Sequence, residues 1–132
     1  MSTRSWLYQR MVASAPLVSL LPGGIHQTTS LNTAPHQKPF TMYRQTSDVS
    51  TLRGDGQERI RSNGYMIFVH DVPGDYLKID EILEQMKLLF QDTVDQANGV
   101  AKSLWLETSE DVRDDDMGTI MKFARIQVVH KV

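Results

Sequence analysis

The sequence predicts an α+β fold, with an antiparallel-rich sheet of about four to five strands flanked by two helices. Three observations carry this. Apolar residues recur at helical spacing over 76–91, where Ile79, Ile82, Leu83, Met86, Leu89 and Phe90 form one stripe. Four segments, 40–45, 58–70, 100–108 and 119–132, are rich in β-branched and aromatic residues and are bounded by turn signals. Finally, the order helix, strand, strand, helix, strand, strand does not alternate as a parallel α/β chain would.

The first helix is expected over Arg4 to Ala13, with Thr3 as its N-cap and Trp6, Leu7, Tyr8, Met11 and Val12 at helical spacing. Pro16 interrupts it and can open one further turn. Pro22-Gly23-Gly24 then ends the helical region. Residues 26–39 read as a polar loop. Phe40 to Gln45 reads as a strand with Phe40, Met42 and Arg44 on one face. Residues 46–57 read as a second polar loop, long for a hairpin connection. Glu58 to His70 is the longest strand expected before the main helix. Ile60, Met66 and Phe68 share one parity, and Tyr65, Ile67 and Val69 the other. Its second half is apolar on both faces, which places it centrally with both faces covered. Asn63-Gly64 marks a bulge or kink. Asp75 is placed to cap the helix that follows the Pro73-Gly74 turn. Val100 to Thr108 is a strand with Trp105 opposed to Leu104 and Leu106. Residues 109–118 form a charged loop, and Thr119 to Val132 a final strand.

A chain of 132 residues fits a single domain, 1–132, and is long enough to bury a core without staples. It has no cysteine, which excludes disulfides, thiolate nucleophiles and cysteine zinc sites. The formal net charge is −2. Dedicated duplex binding, which draws its affinity from neutralising phosphates, is disfavoured by that balance. Leu17–Leu21 is too short an apolar run for a signal h-region or a membrane span, and Pro16, Ser19 and Pro22 break it. The expectation is therefore a protein made in the cytoplasm with no membrane partner.

Catalytic motifs are missing: the sequence has no GxSxG, HExxH, Walker loop or GxGxxG. No cofactor is expected. His26, His36, His70 and His130 make no i, i+4 pair, so a metal site would need distant convergence. His70-Asp71 could pair a base with an orienting carboxylate, but strand neighbours point to opposite faces. Asp111, Asp114, Asp115 and Asp116 form the densest acidic run. Read for function they would bind a divalent cation or repel a polyanion, set against the plain reading of a solvated loop. Arg53, Arg59 and Arg61 bracket the second polar loop and are candidates for a partner surface. Without interleaved aromatics they do not form a stacking platform for single strands. Trp6 and Tyr8 belong to a short helix with apolar residues on several sides. That surplus marks both as partner-contact candidates.

Residues 68–83, Phe68-Val69-His70-Asp71-Val72-Pro73-Gly74-Asp75-Tyr76-Leu77-Lys78-Ile79-Asp80-Glu81-Ile82-Leu83, resemble the strand, PG turn and helix of tail terminator (tail-completion) proteins of long-tailed bacteriophages. Ser109-Glu110-Asp111-Val112-Arg113-Asp114-Asp115 is similar to that family's acidic loop, and a long last strand follows it here too. The run from Ala34 to Phe40 also fits, whereas Ile25 to Thr33 matches poorly. The resemblance implies a structural virion protein with no catalytic residues. Its copies would form a homo-oligomeric ring, usually a hexamer, that caps the tail tube at the head-proximal end of the tail. The implied partners are the tail tube protein and the head-tail connector proteins, with DNA passing through unbound and Asp111, Asp114, Asp115 and Asp116 as candidates for a docking loop or the channel wall.

Three other functions compete. One is a head-completion or connector protein of the same virion. Another is a small metal-dependent hydrolase using His70, Asp71 and the Asp114–Asp116 run. The last is a nucleic-acid binder using Arg53, Arg59 and Arg61.

Overall fold

The computed structural model describes residues 2–27, 37–52 and 58–131, with residues 51, 52, 58 and 59 by backbone alone. In chain order the elements are α1 (Thr3–Val12), α2 (Ala15–Leu20), β1 (Ile25–Gln27), β2 (Phe40–Leu52), β3 (Glu58–Asp71), α3 (Leu77–Phe90), β4 (Thr93–Asp95), a single 3-10 turn (Gln96–Asn98), β5 (Val100–Thr108), β6 (Val112–Asp114) and β7 (Thr119–Lys131). Among the described residues the seven strands form one sheet in the order β1-β2-β3-β7-β5-β4, with β6 also paired to β7. The β1–β2 pair is parallel and the remaining pairs are antiparallel.

The fold class is α+β, as the sequence predicts, but the sheet is mixed and larger than expected, and a third helix is present. The three additional strands, β1, β4 and β6, are three residues each. Strands so short carry no alternating pattern and exist only through pairing with β2, β5 and β7. β2 continues to Leu52 through residues read as loop, because past the unpaired Thr46 the residues Ser47 to Thr51 pair one by one with β3 despite their mostly polar character. The further helix is α2, six residues long. Ser14 caps it by accepting from Leu17 N–H, and Pro16 sits in its first turn, where a missing N–H costs nothing.

All three helices pack on one face of the sheet. Ile79, Ile82, Met86 and Phe90 of α3 are fully buried against Ile67 and Val69 of β3 and Ala124, Ile126 and Val128 of β7, all members of one cluster with Leu7, Met11 and Leu17. Each such side chain contributes about 1.5–3 kcal/mol relative to exposure. α1 starts one residue earlier than expected. Ser2 is its cap, and Thr3 is buried instead. Asp75 accepts from Leu77 N–H at 3.1 Å at the start of α3, while Tyr76 occupies the N-cap position. Among the described residues no helix is long and apolar enough to cross a membrane.

A polar relay ties α1 to the sheet. The Thr3 hydroxyl donates to Asn63 Oδ1 at 2.7 Å and accepts from Tyr65 OH at 2.6 Å. Asn63 Oδ1 also accepts from His130 Nε2 at 2.9 Å, and Asn63 Nδ2 donates to Asp48 at 2.9 Å. Burial pushes the Tyr65 phenol up from its ordinary range, which keeps it a donor. Next to Asn63, Gly64 is required by close approach: a Cβ there would lie 2.5 Å from Ser47 Oγ and 2.8 Å from Thr46 Oγ1. The bulge expected at Asn63-Gly64 lies opposite, in β2 between Gln45 and Ser47.

Candidate assembly surface

The alternation of β3 and β7 creates a second face. Tyr65, Ile67 and Val69 point to the helices, so Met66 and Phe68 point away from them. In register, Met66 lies beside Arg125 and Phe68 beside Phe123 on β7, and Arg44 and Met42 on β2 lie on their other side. The buried cluster that unites the helices with the sheet contains none of Met42, Met66, Phe68, Met121 and Phe123. Phe68, Phe123, Met42 and Met121 are only half-buried, whereas Met66 and, toward the strand ends, Phe40 and His70 on the same face are buried.

Two aromatic–arginine stacks occupy the middle of this face. The Phe68 and Phe123 rings are 5.9 Å apart and tilted by 52°. The Arg44 guanidinium lies 5.7 Å over Phe68, and that of Arg125 lies 5.9 Å over Phe123. Arg44 Nη2 also reaches Met66 Sδ at 3.6 Å. Arg125 is neutralised by Glu107 of β5 at 2.6 Å. No carboxylate of the described residues is ion-paired with Arg44. Between β7 and β3, Gln127 reaches Ser62. Phenylalanine, methionine and arginine on an uncovered sheet have the composition of the buried centre of a protein interface, and a surface of single scattered apolar residues does not.

The residues singled out in the sequence are dispersed. Trp6 is 4% exposed, so it is a core residue and not an exposed anchor. Its ring meets Phe90 edge-on at 5.9 Å, Arg10 lies 5.6 Å over its face, and its indole N–H donates to Asp95 at 2.9 Å. Hydrogen bonds from Asn98 and then from Trp6 hold the Asp95 carboxyl below its ordinary value. Tyr8 is exposed beside Val12 and Val18, at a shallow depression of about 340 Å³. Arg53 lies outside the described residues, and Arg59 is described by backbone alone. Arg61 pairs with Asp48 at 3.5 Å on the helix side of the β2–β3 margin.

In the acidic run, β6 converts part of the expected loop into an edge strand on β7. Asp111 joins Asp80 on Lys122, at 3.2 and 2.5 Å. These contacts, Asp80's hydrogen bond foremost, raise the Lys122 ammonium above its ordinary value. Asp114 accepts from Met117 N–H at 3.1 Å, closing the turn into β7. Asp115 pairs with Arg113 at 3.0 Å, and Asp116 is exposed. Among the described residues no three histidine, aspartate or glutamate side chains are grouped to hold a metal ion.

His70 and Asp71 are separated, as strand alternation demands. Asp71 accepts from Val72 N–H at 2.8 Å. His70 is 1% exposed, stacked on Phe40 at 5.0 Å, with Nδ1 hydrogen-bonded to Thr119 Oγ1 at 2.7 Å. Its Nε2 has no hydrogen-bond partner among the described residues. Burial lowers the imidazole pKa, against the opposing field of Asp114.

No protein-family model and no curated protein matches the chain. Several solved structures share its fold, two of them as follows. A chain from "Virion of native gene transfer agent (GTA) particle" superposes with a TM-score of 0.72 at 11% identity, over 96% of this chain and 92% of that one. The gp17 protein of bacteriophage SPP1 superposes with a TM-score of 0.55 at 7% identity, over 95% of this chain and 86% of its own. At these identities the likeness establishes the arrangement of elements. It spans nearly the whole of this chain, including the strands whose second face is uncovered.

The assembly surface was missed in the sequence. Its signal was present: β3 is apolar on both parities, and Phe40, Met42 and Arg44 share a face of β2. The expectation of cover on both sides of β3 holds in part: Met66 and His70 on the second face are buried and Phe68 is half-buried, although among the described residues helices lie on one side only.

Proposed function

We propose that this chain is a structural virion protein, a tail terminator whose copies form a ring, hexameric as in the family it resembles, on the end of a phage-type tail tube. The observation that carries the reading is the uncovered sheet face, where Phe68 and Phe123 lie under Arg44 and Arg125. The centre of that face is left half-buried by this chain, which suits a surface used in association. The shared fold with a virion chain and with a bacteriophage protein supplies the setting. In that setting the ring sits at the head-proximal end of the tail, contacts the tail tube protein, and offers its other side to the connector. A formal net charge of −2 suits a passage that lets DNA slide through without holding it.

The reading is tested by mixing the purified protein with tail tubes and imaging them in negative stain. Rings on tube ends, with a defined oligomer mass by light scattering, are expected. A strict monomer that leaves tube ends bare would overturn the proposal.

A further inference from the structure

We infer that the outward stripe of α3, Leu77, Glu81, Glu84 and Leu88, docks on the uncovered sheet face of a second copy of this chain. The inference rests on the ring reading and adds the pair of surfaces that would build the ring.

α3 has two working sides. Its inner stripe closes the first face of the sheet. Positions 77, 81, 84 and 88 follow the spacing i, i+4, i+7, i+11, which puts them on one line along the opposite side. All four are exposed. Leu77 and Leu88, 74% and 75% exposed, are the most exposed large apolar side chains among the described residues. They stand three turns apart, roughly 16 Å, with the two carboxylates between them.

An apolar sheet face is ordinarily closed by a helix that lays a stripe on it, as α3 does on the other side. The second face offers Phe68 and Phe123, with Met42 beside Phe68. The charges at its centre are Arg44, Arg125 and Glu107, one cation in excess. Arg44 and Arg125 stand in one register row on either side of Met66, two strand spacings or roughly 10 Å apart. Charge selects α3 among the helices. α1 and α2 contain no aspartate or glutamate, and α1 carries Arg4 and Arg10, so its exposed Tyr8 and Val12 would bring like charge to this face. Residues 109–118 are acidic but expose no large apolar side chain.

One copy cannot make this contact with itself, because its α3 lies on the other side of its own sheet. The two surfaces are unlike, so each copy in a chain of contacts keeps one free surface of each kind. Repetition closes into a ring when the rotation per copy allows. Leucines desolvated against aromatic rings give such a contact strength, and carboxylates facing guanidiniums give it register.

The experiment reads light-scattering mass, and negative stain with and without tail tubes. Leu77→Ser with Leu88→Ser should weaken self-association at least about tenfold while thermal melts stay near wild type, because both side chains face solvent in the single copy. Glu81→Arg with Glu84→Arg should weaken it by a similar factor, and adding Arg44→Glu with Arg125→Glu should restore it. Should the double reversal on the sheet disturb folding, Arg44→Glu alone serves as the exchange partner. Wild-type rings that both α3 variants leave intact overturn this interface while the ring reading stands. A loss that the exchange does not rescue in a folded protein overturns the sheet face as the place where α3 docks. Intact rings of the α3 variants that no longer hold tail tubes make the tube protein the occupant of the stripe and also overturn it. A wild-type chain that never self-associates, alone or on tubes, overturns both readings.

Discussion

Ile67 and Phe68 are neighbours on the central strand β3 and lie on opposite faces of the same sheet. Ile67 is fully buried under the helices, among Val69, Ile126 and Met86. Phe68 is half-buried, with Phe123 beside it and Arg44 above it. One face is closed by helices and the other is left half-buried at its centre, although both are apolar. A sheet face is defined by what is laid on it, and composition alone does not distinguish a core from an interface.

The comparison breaks most visibly when one substitution is made on each side. Ile67→Ala should cost about 2–5 kcal/mol in a urea titration, since it leaves a cavity in close packing. Phe68→Ala should cost only about 1 kcal/mol in the same assay, as expected of a partly exposed position. Equal losses would show that the second face is also a core.

Asn63→Ala tests the polar part of the covered side. It removes the acceptor of Thr3 and His130 and leaves the buried Thr3 and Tyr65 hydroxyls to each other. A loss of about 1–3 kcal/mol is expected by chemical denaturation.

His70 gives a pH-dependent difference. Burial depresses its pKa below the ordinary 6.5, so the folded chain keeps the ring neutral after the unfolded chain has begun to bind a proton. Stability should be unaffected by this group above that pH and should decline as pH falls below it. Thermal melts of His70→Gln against pH should lack that part of the decline; parallel curves for the two proteins would remove His70 as its source.

The smallest effect is expected at Glu107→Gln. Its pair with Arg125 is about half exposed, so the loss should be about 0.2–1 kcal/mol and should shrink with added salt.

Much of this was legible in the sequence. The α3 stripe, the Asp75 start and the bounds of β5 follow from local periodicity and turn chemistry, which short-range sequence encodes directly. The extension of β2 through Ser47 to Thr51 was not legible, because its mostly polar residues are strand only by pairing with β3. Trp6 misled for a related reason. Its helix is apolar on several sides, and only the positions of Phe90 and Asp95, far along the chain, decide that the indole is enclosed. The assembly surface was half legible. Double-sided apolarity in β3 marks burial on both faces, but the sequence cannot state whether the second cover is the same chain or another one.

The central claim is that the Phe68–Phe123 centre of this second face serves association. The decisive measurement is the oligomer mass of wild type and Phe68→Ala, by light scattering at matched concentration, with melting followed alongside. The account predicts a ring-sized particle for wild type and, for a Phe68→Ala chain that melts nearly as wild type does, a mass near the 15.0 kDa of one copy. A Phe68→Ala protein that assembles as fully as wild type would contradict it.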